Sequence, residues 1–257
     1  MREKLTMSLV KKLGILATSL VTTCWSPLTS AQTTVYTGYD IGGGENSRLA
    51  SFANATAARN SFLGGLVGVG TESFEAIGVG TSGPLAVNFG VAGTATLNGN
   101  GNVQSTAPGA TNGFGRYATE GNNFWQSNSS FSIAFSDPIA AFGFMGIDIG
   151  DFNGQVTVST SGGLNQVFNV GNPTNTPGGG VLFWGLISTI DTFTGITFGN
   201  TSSGVDSFAF DQMTIGSRQQ ITTAVPEPET YALMLAGLGL MSAVARRRTK
   251  SKSPTLT

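Results

Sequence analysis

The sequence contains no histidine and a single cysteine, and this removes most of the common catalytic arrangements. A Ser-His-Asp or Cys-His catalytic group needs an imidazole, and a zinc site of the usual ligands needs histidine or several cysteines. The glycines at positions 42–44 are not followed by Lys and Ser, so they do not form a phosphate-binding loop. Carboxylates and aromatic rings are the remaining candidates for chemistry.

Two pairs of carboxylates have the residue types that glycoside hydrolysis requires. Asp148 with Asp151, and Glu72 with Glu75, each place two acids three positions apart. Acids at this spacing are frequent on solvated loops, and a pair of carboxylates alone does not define an active site. We therefore expect no enzymatic activity and keep a glycan-cleaving enzyme as a third interpretation.

Calcium is the better chemical hypothesis for the acidic side chains, because it prefers several oxygen ligands. The candidate ligands are Asp148, Asp151, Asp206 and Asp211, which lie at or near predicted strand ends. Asp211 shares a strand face with apolar neighbours and needs a partner there. Pairing with Arg116 or capping of a turn is the favoured interpretation of Asp211, and a calcium ion is the alternative.

Two aromatic residues lie in segments rich in asparagine and glycine, where rings are often exposed. Tyr117 and Trp125 are therefore candidates for stacking on sugar rings, although packing is the default role of such side chains. Trp184 lies within an apolar strand and is expected in the core.

The segment between the two ends of the chain is acidic and suited to one domain. Residues 32–222 contain eleven acidic residues and four arginines, a balance of −7, whereas the whole chain has a net charge of −1. This segment contains no lysine. An acidic surface repels phosphate backbones, so nucleic acid is excluded as a partner.

The elements that must position these residues are short strands separated by Gly, Asn and Ser, which predicts an all-β, antiparallel β-sandwich or jelly roll. The predicted strands are 33–39, 85–89, 94–97, 131–135, 140–147, 155–159, 167–170, 181–187, 195–198 and 206–215. One short helix is predicted at 51–63, loops at 98–115 and 171–180, and a turn at Asp137-Pro138. In the last strand, Phe208 and Phe210 share one face, and Asp211 shares the other with Met213 and Ile215.

Residues 1–31 have the pattern of a secretory signal peptide. The basic residues at 2–12 precede an apolar stretch at 13–21, and small residues lead to a predicted cleavage between Ala31 and Gln32. Cys24 leaves with this segment, so the exported protein has no disulfide. We expect export through the Sec route.

The tail has three parts in fixed order: Val225-Pro226-Glu227-Pro228, an apolar helix at about 230–245, and the basic residues Arg246, Arg247 and Arg248. The prolines keep the first part out of sheets and helices. Sixteen helical residues span about 24 Å, against about 30 Å of hydrocarbon, so they predict a short single transmembrane helix. The arginines act as a membrane stop and stay in the cytoplasm.

This tail is similar, residue for residue, to the PEP-CTERM sorting signal of Gram-negative bacteria, from Val225 to about residue 250. The resemblance implies recognition by an exosortase-type membrane transpeptidase, cleavage near Pro226–Pro228, and a transient anchor in the inner membrane. Residues 135–152 and 208–215 more loosely resemble the lectin-like sandwich domains found ahead of this signal.

Together these patterns predict a signal peptide at 1–31, an exported β-sandwich at 32–222 and a sorting signal at 223–257. We expect a structural or adhesive component of the cell envelope or extracellular matrix. The alternative is a calcium-dependent carbohydrate-binding module whose partner is exopolysaccharide. Calcium is the only cofactor that the sequence suggests.

Overall fold

The computed structural model describes residues 32–151, 155–200, 207–222, 234–242 and 246. One α-helix, α1, spans Ala53–Gly64, and two short 3-10 turns span Gly90–Ala92 and Arg218–Gln220. The strands are β1 Thr33–Asp40, β2 Thr71–Glu72, β3 Leu85–Asn88, β4 Thr94–Ser105, β5 Asn123–Ile139, β6 Ala141–Ile147, β7 Val156–Ser161, β8 Val167–Asn169, β9 Val181–Ser188, β10 Phe193–Asn200 and β11 Ser207–Gly216.

These strands pair antiparallel throughout, which confirms the predicted all-β class. The hydrogen-bonded order is β1-β9-β6-β11-β5-β10-β7-β8, with β2 on β11, β4 on β5 and β3 on β4. Each predicted strand coincides with an observed one. Among these pairs, only β3–β4, β4–β5 and β7–β8 join strands that are consecutive in sequence, so the other pairs bring together strands that are distant along the chain.

The sheet curls so that strands distant in its order face each other across one core. Phe168 of β8 lies 5.9 Å from Trp184 of β9, measured between ring centroids. Phe142 of β6 likewise lies 6.2 Å from Phe198 of β10. The curl gives two facing layers around a core rich in phenylalanine, and each buried ring contributes about 1.5–3 kcal/mol.

A second apolar cluster covers the outer face of β6 and β9 beneath α1. Phe62 of the helix packs 5.4 Å from Phe183, and Ala55 and Met145 belong to the same cluster. Every residue of β6 is consequently buried. The nearly continuous apolar sequence of β6 is typical of strands that are covered on both faces.

The predicted helix is confirmed, but its first turn is capped by a residue distant in sequence. Phe52, at the N-cap position, provides no side-chain hydrogen bond. The Asp40 carboxylate, at the end of β1, instead accepts hydrogen bonds from the backbone N–H groups of Asn54 and Ala55. A negative charge at this position also favours the helix dipole.

Two local predictions are wrong. The predicted loop at 98–115 is strand as far as Ser105, because β4 continues along β5 past a register shift at Gly99–Gly101. The predicted turn at Asp137-Pro138 lies inside β5. The ladder between β5 and β10 is interrupted between Ile139 and Ala134, and a missing proline N–H is tolerated there.

The predicted facing of the last strand is also wrong after Asp211. The register of β11 against β6 shifts between Asp211 and Thr214, and Gln212 has a φ of 46°. This bulge returns Met213 and Ile215 to the core that already contains the two phenylalanines of β11.

The predicted tail helix is described only at 234–242, where the chain is helical. No helix among the described residues combines the length and apolarity needed to cross a membrane. The signal peptide lies outside the described residues, as does the rest of the sorting signal apart from Arg246.

Candidate functional site

We call the part of the chain between residues 32 and 222 the body. Four segments meet at the end of the body where β1 and β6 finish and β9 begins, and we call this end the acidic end. They are residues 41–47, 111–116, 148–151 and 178–180. Backbone hydrogen bonds join them: Gly44 N–H to the Gly178 carbonyl at 2.9 Å, Gly115 N–H to the Glu45 carbonyl at 2.9 Å, and Asp148 N–H to the Gly180 carbonyl at 2.8 Å. Asp40 and Ile147 both pair with Val181, so the segments 41–47 and 148–151 begin at the same level of the sheet.

Three carboxylates converge at the acidic end, and we call them the carboxylate cluster: Glu45, Asp148 and Asp151. One oxygen from each lies within 4.8 Å of the others. Calcium binds oxygen at about 2.3–2.6 Å, so ligands around one ion lie at separations of this size. A Cβ on Gly115 would overlap Asp148 Oδ1, and one on Gly178 would lie 2.6 Å from Glu45 Oε1. Glycine at both positions is what lets the carboxylates approach.

Asp148 is the buried member of the cluster, with only 1% of its surface exposed. Its Oδ1 accepts a hydrogen bond from Gly179 N–H at 2.9 Å. Its Oδ2 lies 3.3 Å from Arg116 Nε, and no described donor makes a hydrogen bond to it. The backbone of Asp148 is left-handed, with a φ of 69°.

Burial raises the pKa of the Asp148 carboxyl to about 7. The charges of Asp151 and Glu45 act in the same direction, whereas the Gly179 hydrogen bond and the Arg116 charge lower this pKa. Three ionised acids beside one arginine would carry a net charge of −2. A proton or a bound cation would balance part of this charge, and the three residues fit a hard cation such as calcium.

The structure does not bring all of the predicted calcium ligands together. Asp211 is fully buried, and its Oδ2 accepts hydrogen bonds from Thr119 N–H, Thr119 Oγ1 and Glu120 N–H. It therefore caps the turn at 119–120 and does not join the cluster, while Arg116 pairs with Asp148. Asp206 lies outside the described residues.

The predicted sugar-stacking role of Tyr117 and Trp125 is wrong, because both side chains are 0% exposed. The Tyr117 hydroxyl donates to the Gly179 carbonyl at 2.9 Å and accepts from Leu49 N–H at 3.2 Å. Trp125 lies in β5 and belongs to the main core. Tyr117 therefore supports the acidic end from beneath, and neither ring has a face open to a ligand.

Two residues of the acidic end are missed by the sequence-based site prediction. Glu45 joins the cluster although it lies about a hundred positions from Asp148. Phe114 is 63% exposed on the segment whose Thr111 hydroxyl donates to the Glu45 carbonyl at 2.6 Å, and Arg116 lies 5.8 Å from its ring centre. The sequence feature that could have indicated Phe114 is its position between two glycines, at 113–115.

The carboxylate pair Glu72 and Glu75 has separate structural contacts. Glu72 accepts a hydrogen bond from Phe74 N–H, and Glu75 accepts from Asn122 N–H and Asn123 N–H. Both acids therefore hold backbone groups, as turn residues commonly do.

The second functional element is the tail, and here a comparison with known families is decisive. Residues 224–248 match the family model of the PEP-CTERM protein-sorting motif. The chain carries a PEP-CTERM sorting signal. This motif is recognised by exosortase, a membrane processing enzyme, and it implies export and membrane-associated sorting of the chain. No curated protein and no solved structure matches the chain, and the lectin-like resemblance of the body stays a prediction.

Most residues of the PEP-CTERM signal lie outside the described residues: Val225, Pro226, Glu227, Pro228, Arg247 and Arg248. Ala31, at the predicted signal cleavage, lies outside them as well. Arg246 is helical and exposed, and Gln32 is exposed at the start of the body.

The body joins the sorting signal at the end opposite the acidic end. Thr222 N–H donates to the Gly65 carbonyl at 2.9 Å, just after α1, whose first turn is capped by Asp40 at the acidic end. The eight residues of β9 separate the two ends by about 26 Å, at about 3.3 Å per residue.

Proposed function

We propose that the body of this PEP-CTERM protein is a structural or adhesive component of the cell envelope or extracellular polymer matrix, without catalysis. Its route is Sec-dependent export, followed by a transient inner-membrane anchor and delivery to the surface or medium. The observation that carries the proposal is the opposed placement of the two functional elements. A body retained through its C-terminal end would present the carboxylate cluster and Phe114 away from the membrane.

The packing of the body suits a structural role. Both faces of β6 and β9 are covered, one by the main core and the other by α1. The body lacks lysine and cysteine, so its stability depends on burial and on backbone pairing, without disulfides. These properties suit a protein that works outside the cell without chaperones or a controlled redox state.

A second candidate function is a calcium-dependent carbohydrate-binding module for exopolysaccharide. It is favoured by the convergence of Glu45, Asp148 and Asp151 beside the exposed ring of Phe114. Calcium held by these residues would neutralise their charges and fix the segments 41–47 and 148–151. The Glu45 carbonyl accepts hydrogen bonds from the Thr111 hydroxyl and Gly115 N–H. Fixing Glu45 would therefore also fix the segment that presents Phe114.

One pair of measurements on the exported protein tests both candidates. Thermal melting is recorded with about 1 mM calcium, the range of extracellular calcium modules, and with chelator. Binding to purified exopolysaccharide is then measured under the same two conditions. Calcium is expected to raise the melting temperature of wild type and of the matched control Asp137→Asn, an exposed acid outside the cluster, but not of Asp151→Asn.

The two functions differ in the outcome of the second measurement. Polysaccharide binding that is lost with chelator supports the carbohydrate-binding module, and calcium-dependent melting without such binding supports the structural role alone. If chelator leaves both melting and binding unchanged, the calcium hypothesis is wrong.

A further inference from the structure

Both ends of the body leave the fold at the same place. Gln32 is bonded to Thr189: its N–H donates to the Thr189 hydroxyl at 2.8 Å, and its carbonyl accepts the Thr189 N–H at 2.9 Å. The Arg218 guanidinium donates to the carbonyls of Thr189 and Ile190, each at 2.6 Å. Arg218 begins the turn that leads to Thr222, so one side chain links the two exits.

The surface around these exits is formed by residues 64–70, 189–191 and 217–222, and we call it the terminal surface. Val67 is 58% exposed on it, and Ile190 is 50% exposed. Its only charged residues are Asp191 and Arg218, which balance each other, whereas the body as a whole carries eleven acids and four arginines. The terminal surface is thus a neutral, partly aliphatic region on an acidic protein, a composition that favours contact with another protein.

The chain is held firmly up to the last described residue of the body. Val67 N–H donates to the Gln220 carbonyl at 2.8 Å, and Thr222 N–H to the Gly65 carbonyl at 2.9 Å. The Gln220 side chain donates to the Gly68 carbonyl at 2.6 Å. Extra chain length cannot be drawn from the body toward the sorting signal unless these bonds break.

The sorting motif begins within a short reach of this anchored point. Pro226 follows Thr222 by four residues, which span at most about 14 Å when fully extended. Tyr231, near the start of the apolar segment, follows by nine residues, or at most about 32 Å. An enzyme that surrounds the motif must therefore come close to the terminal surface, whereas the start of the apolar segment has more than twice this maximum reach.

We propose that the terminal surface is the docking site of exosortase on the body, with Val67 and Ile190 in the contact. This rests on the chain being an exosortase substrate, as its PEP-CTERM signal indicates. Lipid is the less suitable occupant, because the surface offers one arginine and the body is acidic, which anionic headgroups disfavour.

The test is the rate of tail cleavage of the full-length chain in cells that contain exosortase, followed by pulse-chase and intact mass. The double variant Val67→Glu with Ile190→Glu should be cut at least about tenfold more slowly, the factor expected when an apolar contact is lost. The matched control is Ile41→Glu with Val79→Glu, which adds the same two charges at sites 63% and 62% exposed outside the terminal surface. It should be cut at the wild-type rate.

A second change separates docking from damage to the fold. A flexible Gly-Ser insertion after Thr222 uncouples the motif from the terminal surface without changing the body, so it should slow cleavage of wild type toward the rate of the double variant and change the double variant little. Cleavage of wild type that the insertion leaves as fast as before overturns the proposal, as does equal cleavage of wild type and double variant.

Two other results would overturn the proposal for different reasons. If the double variant is cut normally but the exported protein loses binding to vesicles of phosphatidylethanolamine and phosphatidylglycerol, the surface docks on lipid and the proposal is wrong. If wild type itself is not cut when exosortase is present, the assignment of the chain as its substrate fails, and the docking proposal fails with it.

Discussion

Arg116 lies with its Nε 3.3 Å from Asp148 Oδ2, yet the Nε–H donates to the carbonyl of Ser207 at 2.9 Å. The charge of Arg116 is therefore close to the carboxylate cluster while this N–H is engaged elsewhere. One cation facing three acids leaves the acidic end with excess negative charge. This imbalance is the reason to expect a cation there.

Replacing Arg116 tests whether its charge offsets the negative charge of the carboxylate cluster. Arg116→Gln is expected to lower the unfolding free energy in chelator by about 1–3 kcal/mol, because a buried carboxylate loses its charged partner. Calcium should recover much of that loss. Chemical denaturation with and without calcium measures both effects, and Arg59→Gln serves as a control outside the cluster. Equal stability of wild type and Arg116→Gln in chelator would contradict the account.

The glycine beside Glu45 should matter for binding more than for folding. Gly178→Ala places a Cβ 2.6 Å from Glu45 Oε1, so the Glu45 carboxylate must move away from the cluster. We expect calcium affinity, measured by isothermal titration calorimetry, to fall at least about tenfold. Gly70→Ala is the control, since nothing lies within 4 Å of its added Cβ. Unchanged affinity of Gly178→Ala would remove Glu45 from the site.

Asp211 predicts a specific dependence of stability on pH. Burial raises its pKa to about 7, against hydrogen bonds from Thr119, Gln212 and Glu120 that lower it. The folded protein then binds this proton more tightly than the unfolded chain, whose carboxyl titrates near 4. Its contribution to the unfolding free energy should fall as pH rises from about 4 to about 7, by at most about 1.4 kcal/mol per pH unit.

Denaturant titrations in chelator at several pH values test this dependence. Asp211→Asn cannot ionise, so its stability should vary less over the same range than that of wild type. An identical slope in wild type and Asp211→Asn would show that Asp211 is charged throughout this range.

The remote cap of α1 provides a prediction about the fold itself. Asp40→Ala leaves the N–H groups of Asn54 and Ala55 without their acceptor, which should cost about 0.5–2 kcal/mol of unfolding free energy. Asp40→Asn keeps a side-chain oxygen and should lose less. If alanine and asparagine are equally tolerated, the helix does not depend on this cap.

Replacing Phe114 should affect binding to polysaccharide without affecting the stability of the fold. Its ring is 63% exposed, so Phe114→Ala should leave the melting temperature nearly unchanged while weakening retention on an exopolysaccharide column. Tyr117→Ala, by contrast, removes a fully buried ring and should destabilise the protein by about 3–5 kcal/mol. Unchanged retention of Phe114→Ala would argue against sugar stacking at the acidic end.

Features encoded locally could be predicted from the sequence. The alternating pattern around Phe131–Phe135 and the apolar run at 181–187 predicted strands that the structure contains, and the alanine-rich segment predicted α1. The tail could also be recognised, because its three parts are contiguous. These patterns depend on neighbours along the chain, which a single sequence displays.

Features that depend on topology could not be predicted. Glu45 reaches Asp148 only because β1 and β6 both pair with β9 and end at one level. The bulge at Gln212 shifts two residues to the other face without a glycine or proline to mark it. The burial of Tyr117 and Trp125 likewise follows from how distant segments cover them, so their Asn- and Gly-rich neighbours were misleading.

The central claim is that this chain is exported and that its tail is processed at the membrane. Intact mass spectrometry of the protein recovered from the envelope and the medium of its own cells tests this claim most directly. The account predicts a species that begins at Gln32 and ends near Pro226–Pro228, and a longer species that retains the tail when exosortase is absent. Recovery of the unprocessed chain from the cytosol, with residues 1–31 and 223–257 still attached, would contradict it.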